Sequence, residues 1–220
     1  MQDALEAIRR LALRRVVVFT GAGVSADSGI PTFRGAGGLW RSFRAEDLAT
    51  PEAFARDPEL VLEWYEWRRG LVRAAEPNAA HRAIARLDDA LVVTQNVDGL
   101  HARAGSRNVI ELHGNIFRTR RAGAYERPDV VWFGEMLPFG ALEAASEAAR
   151  GCNVFLSVGT SSLVYPAAAL PYEALENGAV LAEINPKETP LTQHADHSLR
   201  GLAGEVLPNL LREAFGPPSD

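Results

Sequence analysis

Three short apolar runs in this 220-residue chain each end in a cluster of polar side chains, and this arrangement strongly constrains the fold. Each run has the length and residue content of a buried β-strand. The runs occupy residues 16–19, 91–93 and 109–112, and the polar segments that follow them are residues 20–31, 94–101 and 113–114. Because open parallel sheets build ligand sites at the carboxyl ends of their strands, the three ends predict one shared crevice.

The rest of the chain alternates between helical and strand-like patterns. Two further apolar runs predict strands at 154–158 and 180–184. Apolar residues at helical spacing predict helices over residues 2–13, 57–75, 79–88, 140–150, 166–177 and 204–214, with a turn of helix at 47–55. This order predicts an α/β fold, in which a Rossmann-like, mostly parallel sheet has helices on both faces.

A long segment separates the first two strands. Residues 20–90 lie between them, whereas the strand, helix and strand of a dinucleotide fold together occupy about 30 residues. A small inserted helical subdomain is therefore expected. Glu46 and Asp47 lie near the position where a dehydrogenase holds the ribose, but neither follows a strand, which disfavours hydride transfer. The predicted Rossmann-like domain comprises residues 1–33, 79–116 and 128–220, and the small subdomain residues 34–78 and 117–127.

Composition narrows the class of protein further. The net charge of −5 argues against a nucleic-acid-binding protein, which usually has a basic face. No apolar run approaches the ~20 residues that span a membrane, so no membrane partner is expected. The single cysteine, Cys152, excludes an intramolecular disulfide and a Cys-rich zinc site. These features favour a cytoplasmic protein.

The glycines after the first strand are informative only in combination with other motifs. Gly21 and Gly23 form a turn that would bring backbone N–H groups at a helix start towards a phosphate. The third glycine, Gly29, does not have the spacing of the dinucleotide fingerprint, and no Gly-Lys-Ser/Thr follows to make a P-loop. A structural tight turn explains these glycines equally well.

Six segments, taken in order along the chain, resemble the sirtuins, which are NAD-dependent protein-lysine deacylases. They include a Gln-Asn-Val-Asp run at 95–98, Leu-His-Gly at 112–114 and Arg-Pro-Asp-Val-Val-Trp-Phe-Gly-Glu at 127–135. The full set is residues 21–35, 94–101 with 104–105, 112–114, 127–135, 159–161 with Val164 and Pro166, and 184–185. Any one segment could arise by chance, but six in the order of the family make the resemblance specific.

The resemblance implies that NAD is consumed as a co-substrate. In that reaction the acyl-lysine carbonyl oxygen attacks C1′ of the nicotinamide ribose, nicotinamide leaves, and O-acyl-ADP-ribose forms. His113 matches the general base of the family, and imidazole suits this work because its unperturbed pKa is about 6.5. Asn96 and Asp98 match the other catalytic positions, which hold the ribose and the nicotinamide carboxamide. The positions that match NAD contacts are Gly21, Ala22, Gly23, Asp27, Phe33, Arg34, Gln95, Asn96, Asp98, Gly159, Thr160, Ser161 and Asn185.

Acylated-lysine proteins or peptides are the partners that the resemblance implies. Gly134, Glu135 and Val164 match the two segments between which such a peptide adds as a β-strand. Val97 matches a position near the acyl-lysine tunnel, although Val97 and Phe33 could equally be core residues. The oligomeric state stays open.

Three residues match the signature of the sirtuin branch that prefers succinyl-lysine and malonyl-lysine, namely Ala49, Tyr65 and Arg68. Tyr65 and Arg68 are three residues apart on a predicted helix and therefore share one face. A guanidinium pairs with the terminal carboxylate of such an acyl group, a phenol adds a hydrogen bond, and a small alanine leaves room. The alternative is an aromatic helix face that carries a solvated arginine.

The chain departs from the sirtuin pattern where the family usually has two Cys-x-x-Cys pairs that bind structural zinc. Residues 115–126 contain neither Cys nor His, and His194 and His197 lie elsewhere. A tetrahedral zinc site cannot be built from this interval. The zinc lobe is therefore predicted to be deleted and replaced by a short connector with Arg118, Arg120 and Arg121, and no metal ligands are expected.

Two other functions stay open beside deacylation. The same fold could transfer ADP-ribose to a protein acceptor, which analysis of the products would distinguish. It could also be a non-catalytic module that binds or senses NAD. The presence of both His113 and Asp98 argues against a non-catalytic module.

Overall fold

The computed structural model describes residues 2–3, 6, 15–32, 39–40 and 43–215. Its strands are β1 (Val16–Thr20), β2 (Leu39–Trp40), β3 (Phe43–Arg44), β4 (Leu91–Thr94), β5 (Val109–Glu111), β6 (Gly114–Ala122), β7 (Tyr125–Val130), β8 (Val154–Val158), β9 (Val180–Ile184) and β10 (His197–Leu199). Its helices are α1 (Ala45–Leu48), α2 (Pro51–Arg56), α3 (Pro58–Ala74), α4 (Ala79–Ala85), α5 (Leu100–Ala104), α6 (Phe139–Gly151), α7 (Leu170–Glu176) and α8 (Ala203–Phe215). Two 3-10 helices cover Ala22–Ser28 and Ala167–Ala169.

The centre of the fold is a six-stranded sheet with the strand order β10-β9-β8-β1-β4-β5. Every neighbouring pair in it is parallel. The chain reverses the direction in which it adds strands at β1, which pairs with β4 on one side and β8 on the other. Such a switch point is where open parallel sheets bind ligands. The predicted α/β fold and the shared edge of the three strand ends are both confirmed.

Each face of the sheet is covered by helices, which explains why its strands are continuous apolar runs. Successive side chains of a strand point to opposite faces. Val18 therefore packs in one core with residues of α8 such as Leu207, whereas Phe19 packs in the other with Leu170 of α7. All five residues of β1 are buried.

A smaller helical region follows the first strand, as the sequence predicts. Its longest helix, α3, begins where Asp57 accepts a hydrogen bond from the backbone N–H of Leu60 at 3.0 Å and Pro58 occupies the first turn. Both residues favour a helix start. One face of α3, including Trp64 and Tyr65, packs in a third apolar cluster that also contains Ile116 of β6 and Val130 of β7.

The interval predicted as a connector forms a β-hairpin. Strands β6 and β7 pair antiparallel across a turn at 123–124, where Gly123 has φ +61°. No strands were predicted here because most side chains of β6 are exposed and do not alternate between apolar and polar. Strand β10 and helix α5 were also not predicted.

The other predicted elements correspond closely to observed ones. The predicted helix at 166–177 is a 3-10 turn that continues into α7. The predicted helix at 2–13 lies largely outside the described residues. No helix in the described part of the chain is long and apolar enough to cross a membrane.

Candidate active site

The loops that follow β1 and β8 pack backbone against backbone at the switch point. The N–H of Gly23 donates to the carbonyl oxygen of Gly159 at 2.8 Å. A Cβ on Gly23 would lie 2.7 Å from that oxygen, so no larger residue fits without a shift. Close packing of the two loops therefore explains the glycine at this position. A phosphate contact at Gly21, Ala22 or Gly23 stays a prediction.

Asn96 and Asp98 are buried together beyond the end of β4, and both contact Ser25. The Ser25 hydroxyl donates to Asp98 Oδ2 at 2.7 Å and accepts from Asn96 Nδ2 at 3.2 Å. Asn96 Nδ2 also donates to the carbonyl oxygen of Gly21 at 3.1 Å. Both bonds use Nδ2, which is the donor atom of the Asn96 amide. The acceptor atom, Oδ1, is therefore the one that could contact a bound ligand.

His81 extends this network, and the sequence offered only a weak signal for it. Its Nδ1 accepts from the backbone N–H of Asn78 at 3.4 Å in a capping box at the start of α4. The proton is therefore on Nε2, which lies 3.4 Å from Ser25 Oγ. Hydrogen bonds thus run in one direction, from the imidazole through the Ser25 hydroxyl to the Asp98 carboxylate. Burial lowers the pKa of His81 to about 4, so this imidazole is neutral.

A second group of buried side chains holds the backbone of Asn96. The Thr20 hydroxyl donates to Thr94 Oγ1 at 2.8 Å, and Thr94 Oγ1 accepts from the N–H of Asn96 at 3.0 Å. His101 Nε2 lies 3.0 Å from Thr20 Oγ1 and donates to it. Burial lowers the pKa of His101 to about 3. All three residues lie in the polar segments at 20–31 and 94–101, but none was predicted as a site residue, because their contacts join strands and helices that are distant in sequence.

His113 follows β5 at the same edge of the sheet and is half-buried. Its Nδ1 lies 2.9 Å from the carbonyl oxygen of Gln95, which can only accept, so Nδ1 carries the proton and Nε2 is the basic nitrogen. Burial lowers the pKa of His113, and the bond to Gln95 opposes this effect. Gly114 turns the chain directly afterwards at φ +79°, and a Cβ there would lie 2.1 Å from the carbonyl oxygen of Asp129.

Thr160, which follows β8, links side chains that follow β4 and β9. Gln95 Nε2, after β4, donates to Thr160 Oγ1 at 2.9 Å. Asn185 Nδ2, after β9, donates to the carbonyl oxygen of Thr160 at 2.7 Å. Ser162, which was not predicted, has a buried hydroxyl with no hydrogen-bond partner among the described residues. The structure therefore brings Gln95, Thr160 and Asn185 together as predicted, beside Ser161.

One predicted NAD contact, Asp27, is not part of this arrangement. The Asp27 side chain is exposed and accepts from the N–H of Gly204 at 3.2 Å, at the start of α8. This contact favours a structural role for Asp27. Phe33 and Arg34 lie outside the described residues.

The residues predicted to line an acyl pocket lie on one face of α3 and beside it. Tyr65 and Arg68 are both buried there, and the Arg68 guanidinium lies 4.7 Å from the Trp64 ring and 5.1 Å from the Tyr65 ring. Arg68 is 4% exposed, so it is not a solvated helix charge. Burial lowers the pKa of Arg68, and the neighbouring Tyr65 opposes the shift. Tyr65 accepts from Trp132 Nε1 at 2.9 Å.

Of the predicted peptide-binding segments, the one at Gly134 and Glu135 lies near Ala49. The N–H of Phe133 donates to the carbonyl oxygen of Ala49 at 2.9 Å, which places the chain at Gly134 and Glu135 beside the small helical region. Val97 packs partly against the core of that region. Val164 is half-buried on the loop after β8.

Comparison with known proteins identifies the family. A model of the Sir2 family matches residues 21–124 and 116–166. The chain belongs to the Sir2 family. It is 48% identical to an NAD-dependent protein deacylase of Aquifex aeolicus over 91% of this chain and 97% of that protein.

Solved structures of Sir2 proteins agree with this assignment. A complex of a Sir2 homologue with NAD has a TM-score of 0.88 and 45% identity, and covers 97% of this chain and 93% of its own. A Sir2 complex with a p53 peptide and NAD+ has a TM-score of 0.86 and 30% identity, over 97% and 98% of the two chains.

The described residues offer no ligand set for the structural zinc that the resemblance to sirtuins implies. Among the described residues no group of three His, Cys, Asp or Glu side chains lies close enough to hold a metal ion. The one thiol, Cys152, is buried, and burial raises its pKa to about 11. Such a thiol is a poor source of the thiolate that binds zinc.

The lowered pKa of His113 leads to a prediction about the pH at which its ring becomes protonated. Because burial favours the neutral imidazole, the Nε2 base should persist below pH 6.5 and become protonated only at lower pH. Nuclear magnetic resonance of the His113 ring, assigned by its loss in His113→Ala, should show a midpoint below 6.5. A midpoint above 6.5 would contradict this electrostatic description of the base.

Proposed function

We propose that this Sir2-family protein, an NAD-dependent protein deacylase, acts preferentially on lysines that carry acidic acyl groups such as succinyl and malonyl. The observation that carries the proposal is the buried pair of Arg68 and Tyr65 on one face of α3, beside Ala49. Attraction between a guanidinium and a carboxylate is much stronger in such surroundings than in water. An acetyl group could not use this charge.

The polar side chains at the switch point fit NAD as co-substrate. Asn96 Oδ1, the Asp98 carboxylate and the hydroxyl of Ser162 are acceptors or donors of the kind that ribose hydroxyls and a carboxamide require. Bound NAD supplies an electrophilic ribose carbon and nicotinamide as leaving group. Gln95, Thr160, Ser161 and Asn185 would hold the remainder of the dinucleotide.

His113 acts on a ribose hydroxyl in this scheme. The Gln95 carbonyl oxygen orients the ring and leaves Nε2 free to take a proton. The attacking acyl oxygen is a weak nucleophile. The protein must therefore align this oxygen with the ribose carbon and remove the proton from the ribose hydroxyl. The network through Ser25 and His81 keeps Asn96 and Asp98 in place.

An acylated peptide would add as a strand between Gly134-Glu135 and Val164. Main-chain hydrogen bonds then supply affinity with little demand on peptide sequence. The p53 peptide in the related Sir2 complex supports a protein or peptide as acyl carrier. A cytoplasmic location and the lack of nucleic-acid partners stay predictions.

We also infer that the zinc lobe is deleted from the small subdomain. The alignment with the Aquifex aeolicus protein spans 231 positions, more than the 220 residues of this whole chain, so part of the relative faces gaps. The two segments that match the Sir2 model overlap at residues 116–124, within the interval 115–126 that contains no Cys or His to bind zinc. This supports the division into a Rossmann-like domain and a reduced subdomain at 34–78 and 117–127.

The absence of zinc is testable directly. We expect elemental analysis of the purified protein to find no stoichiometric zinc, because residues 115–126 contain no thiolate or imidazole. A chelator should change neither the melting temperature nor the activity. One equivalent of zinc per chain would contradict the proposed deletion.

The acyl preference is tested by comparing succinyl, malonyl and acetyl forms of one peptide with NAD. Succinyl and malonyl forms should have the higher kcat/KM. Equal kcat/KM for all three would contradict the proposed pocket and leave the deacylase activity itself intact.

A further inference from the structure

We propose that Arg120, Arg127 and Glu135 form a clamp that positions the acyl-lysine loop, residues 131–135. The proposal rests on the proposed function, in which this loop binds the acylated peptide. The two arginines are on the β6–β7 hairpin and the glutamate is on the loop, so their contacts join the two segments.

The positive charges of Arg120 and Arg127 repel each other, and Glu135 offsets this repulsion. Arg120 and Arg127 are directly opposite each other in the hairpin, and like charges in such a pair repel. Arg127 Nη2 donates to Glu135 Oε1 at 2.7 Å and Oε2 at 2.8 Å. Arg120 Nη2 donates to Glu135 Oε2 at 2.8 Å. One carboxylate therefore bridges the two arginines, of which Arg127 is almost fully buried, and Arg120 Nε also lies 4.0 Å from Asp129 Oδ1.

Glu135 also closes the acyl-lysine loop on itself. Its Oε2 accepts from the N–H of Trp132 at 2.9 Å, and its own N–H donates to the carbonyl oxygen of Trp132 at 3.0 Å. The turn between them needs φ +84° at Gly134. The Arg127 guanidinium lies 3.5 Å from the centre of the Trp132 ring, a cation–π contact that holds the start of the turn.

The loop held in this way contacts the catalytic residue and the acyl pocket. The N–H of Val131 donates to the carbonyl oxygen of His113 at 2.9 Å. Trp132 Nε1 donates to the Tyr65 hydroxyl at 2.9 Å, and Phe133 N–H to the carbonyl oxygen of Ala49 at 2.9 Å. Displacement of the clamp would therefore move the acyl-binding surface, whereas the NAD-side contacts at Thr160 are separate from it.

The kinetic test separates binding of the peptide from binding of NAD. In the full chain, Arg127→Met and Glu135→Gln should raise KM for the acyl peptide by about tenfold or more, the scale of a lost charge-assisted hydrogen bond. KM for NAD should change by less than about twofold. Arg127→Lys keeps the charge but not the paired contacts, and should restore part of the loss. Arg121→Gln, the exposed neighbour of Arg120, is the matched control and should change neither constant.

A second measurement does not depend on activity. Hydrogen exchange of the Trp132 amide should be slow in the wild type and at least about tenfold faster in Glu135→Gln, because that amide loses its charged acceptor. Unchanged exchange, or peptide KM and NAD KM that rise together, would overturn the clamp. If the wild type lacks deacylase activity while exchange responds as expected, the clamp stands and the proposed function fails.

Discussion

Replacement of His113 by alanine or tyrosine is expected to lower deacylation by about 10²-fold or more, the scale of a lost general base. The protein should still fold and bind NAD, because His113 is only half-buried and, among the described residues, its side chain hydrogen-bonds only to the Gln95 carbonyl oxygen. Nicotinamide release at saturating NAD and acyl peptide measures the loss. Calorimetric titration with NAD and a melting curve measure binding and folding.

A matched control for this variant is His194→Ala. His194 is exposed, packs edge-on against Tyr172 of α7 and precedes the amino end of β10, whereas the crevice is at the carboxyl ends of the strands. Its replacement should leave turnover unchanged. Near-normal turnover in His113→Ala would remove His113 from the mechanism, whatever the result for the control.

Replacement of Arg68 by methionine is expected to abolish most of the preference for succinyl and malonyl peptides. A charge-assisted hydrogen bond to the acyl carboxylate contributes about 1.5–3 kcal/mol, or roughly 10- to 150-fold in kcat/KM. Acetyl activity should fall little or rise, because methionine fills much of the same space without a buried charge. Kinetics on one peptide with each of the three acyl groups measure the change.

Two variants on the same helix sharpen this test. Arg73→Met, at an exposed position of α3, should leave selectivity unchanged. Tyr65→Phe should reduce selectivity less than Arg68→Met, because it removes a neutral donor. It should also lower the melting temperature, since Trp132 Nε1 loses its acceptor. If Arg68→Met slowed acetyl and succinyl peptides to the same extent, the pocket assignment would be wrong.

Much of the sheet could be predicted because its strands have strong local signals. Buried parallel strands such as β1 and β8 are uninterrupted apolar runs, and α3 has both a start signal at Asp57-Pro58 and a regular apolar face. The β6–β7 hairpin has neither signal. Its strands are stabilised by ion pairs with residues outside the hairpin, such as Glu135, and these are not visible in a local pattern.

The candidate site could be predicted only in part for a similar reason. Asn96, Asp98 and His113 follow strands and belong to recognisable motifs. Their supporting contacts join segments distant in sequence. His81 of α4 lies beside Ser25, and His101, although it belongs to the polar segment 94–101, contacts Thr20. For His81 a signal existed, because Asn78 and His81 have the spacing of a capping box.

The central claim is NAD-dependent removal of an acidic acyl group from lysine, and mass analysis of the products tests it most directly. The wild-type protein is incubated with NAD and one succinyl-lysine peptide, with the acetyl form of the same peptide in a parallel reaction. The predicted result is unmodified lysine peptide, nicotinamide and O-succinyl-ADP-ribose, formed faster than the acetyl products. A peptide that keeps its succinyl group and gains ADP-ribose, or NAD that is not consumed, would contradict the claim.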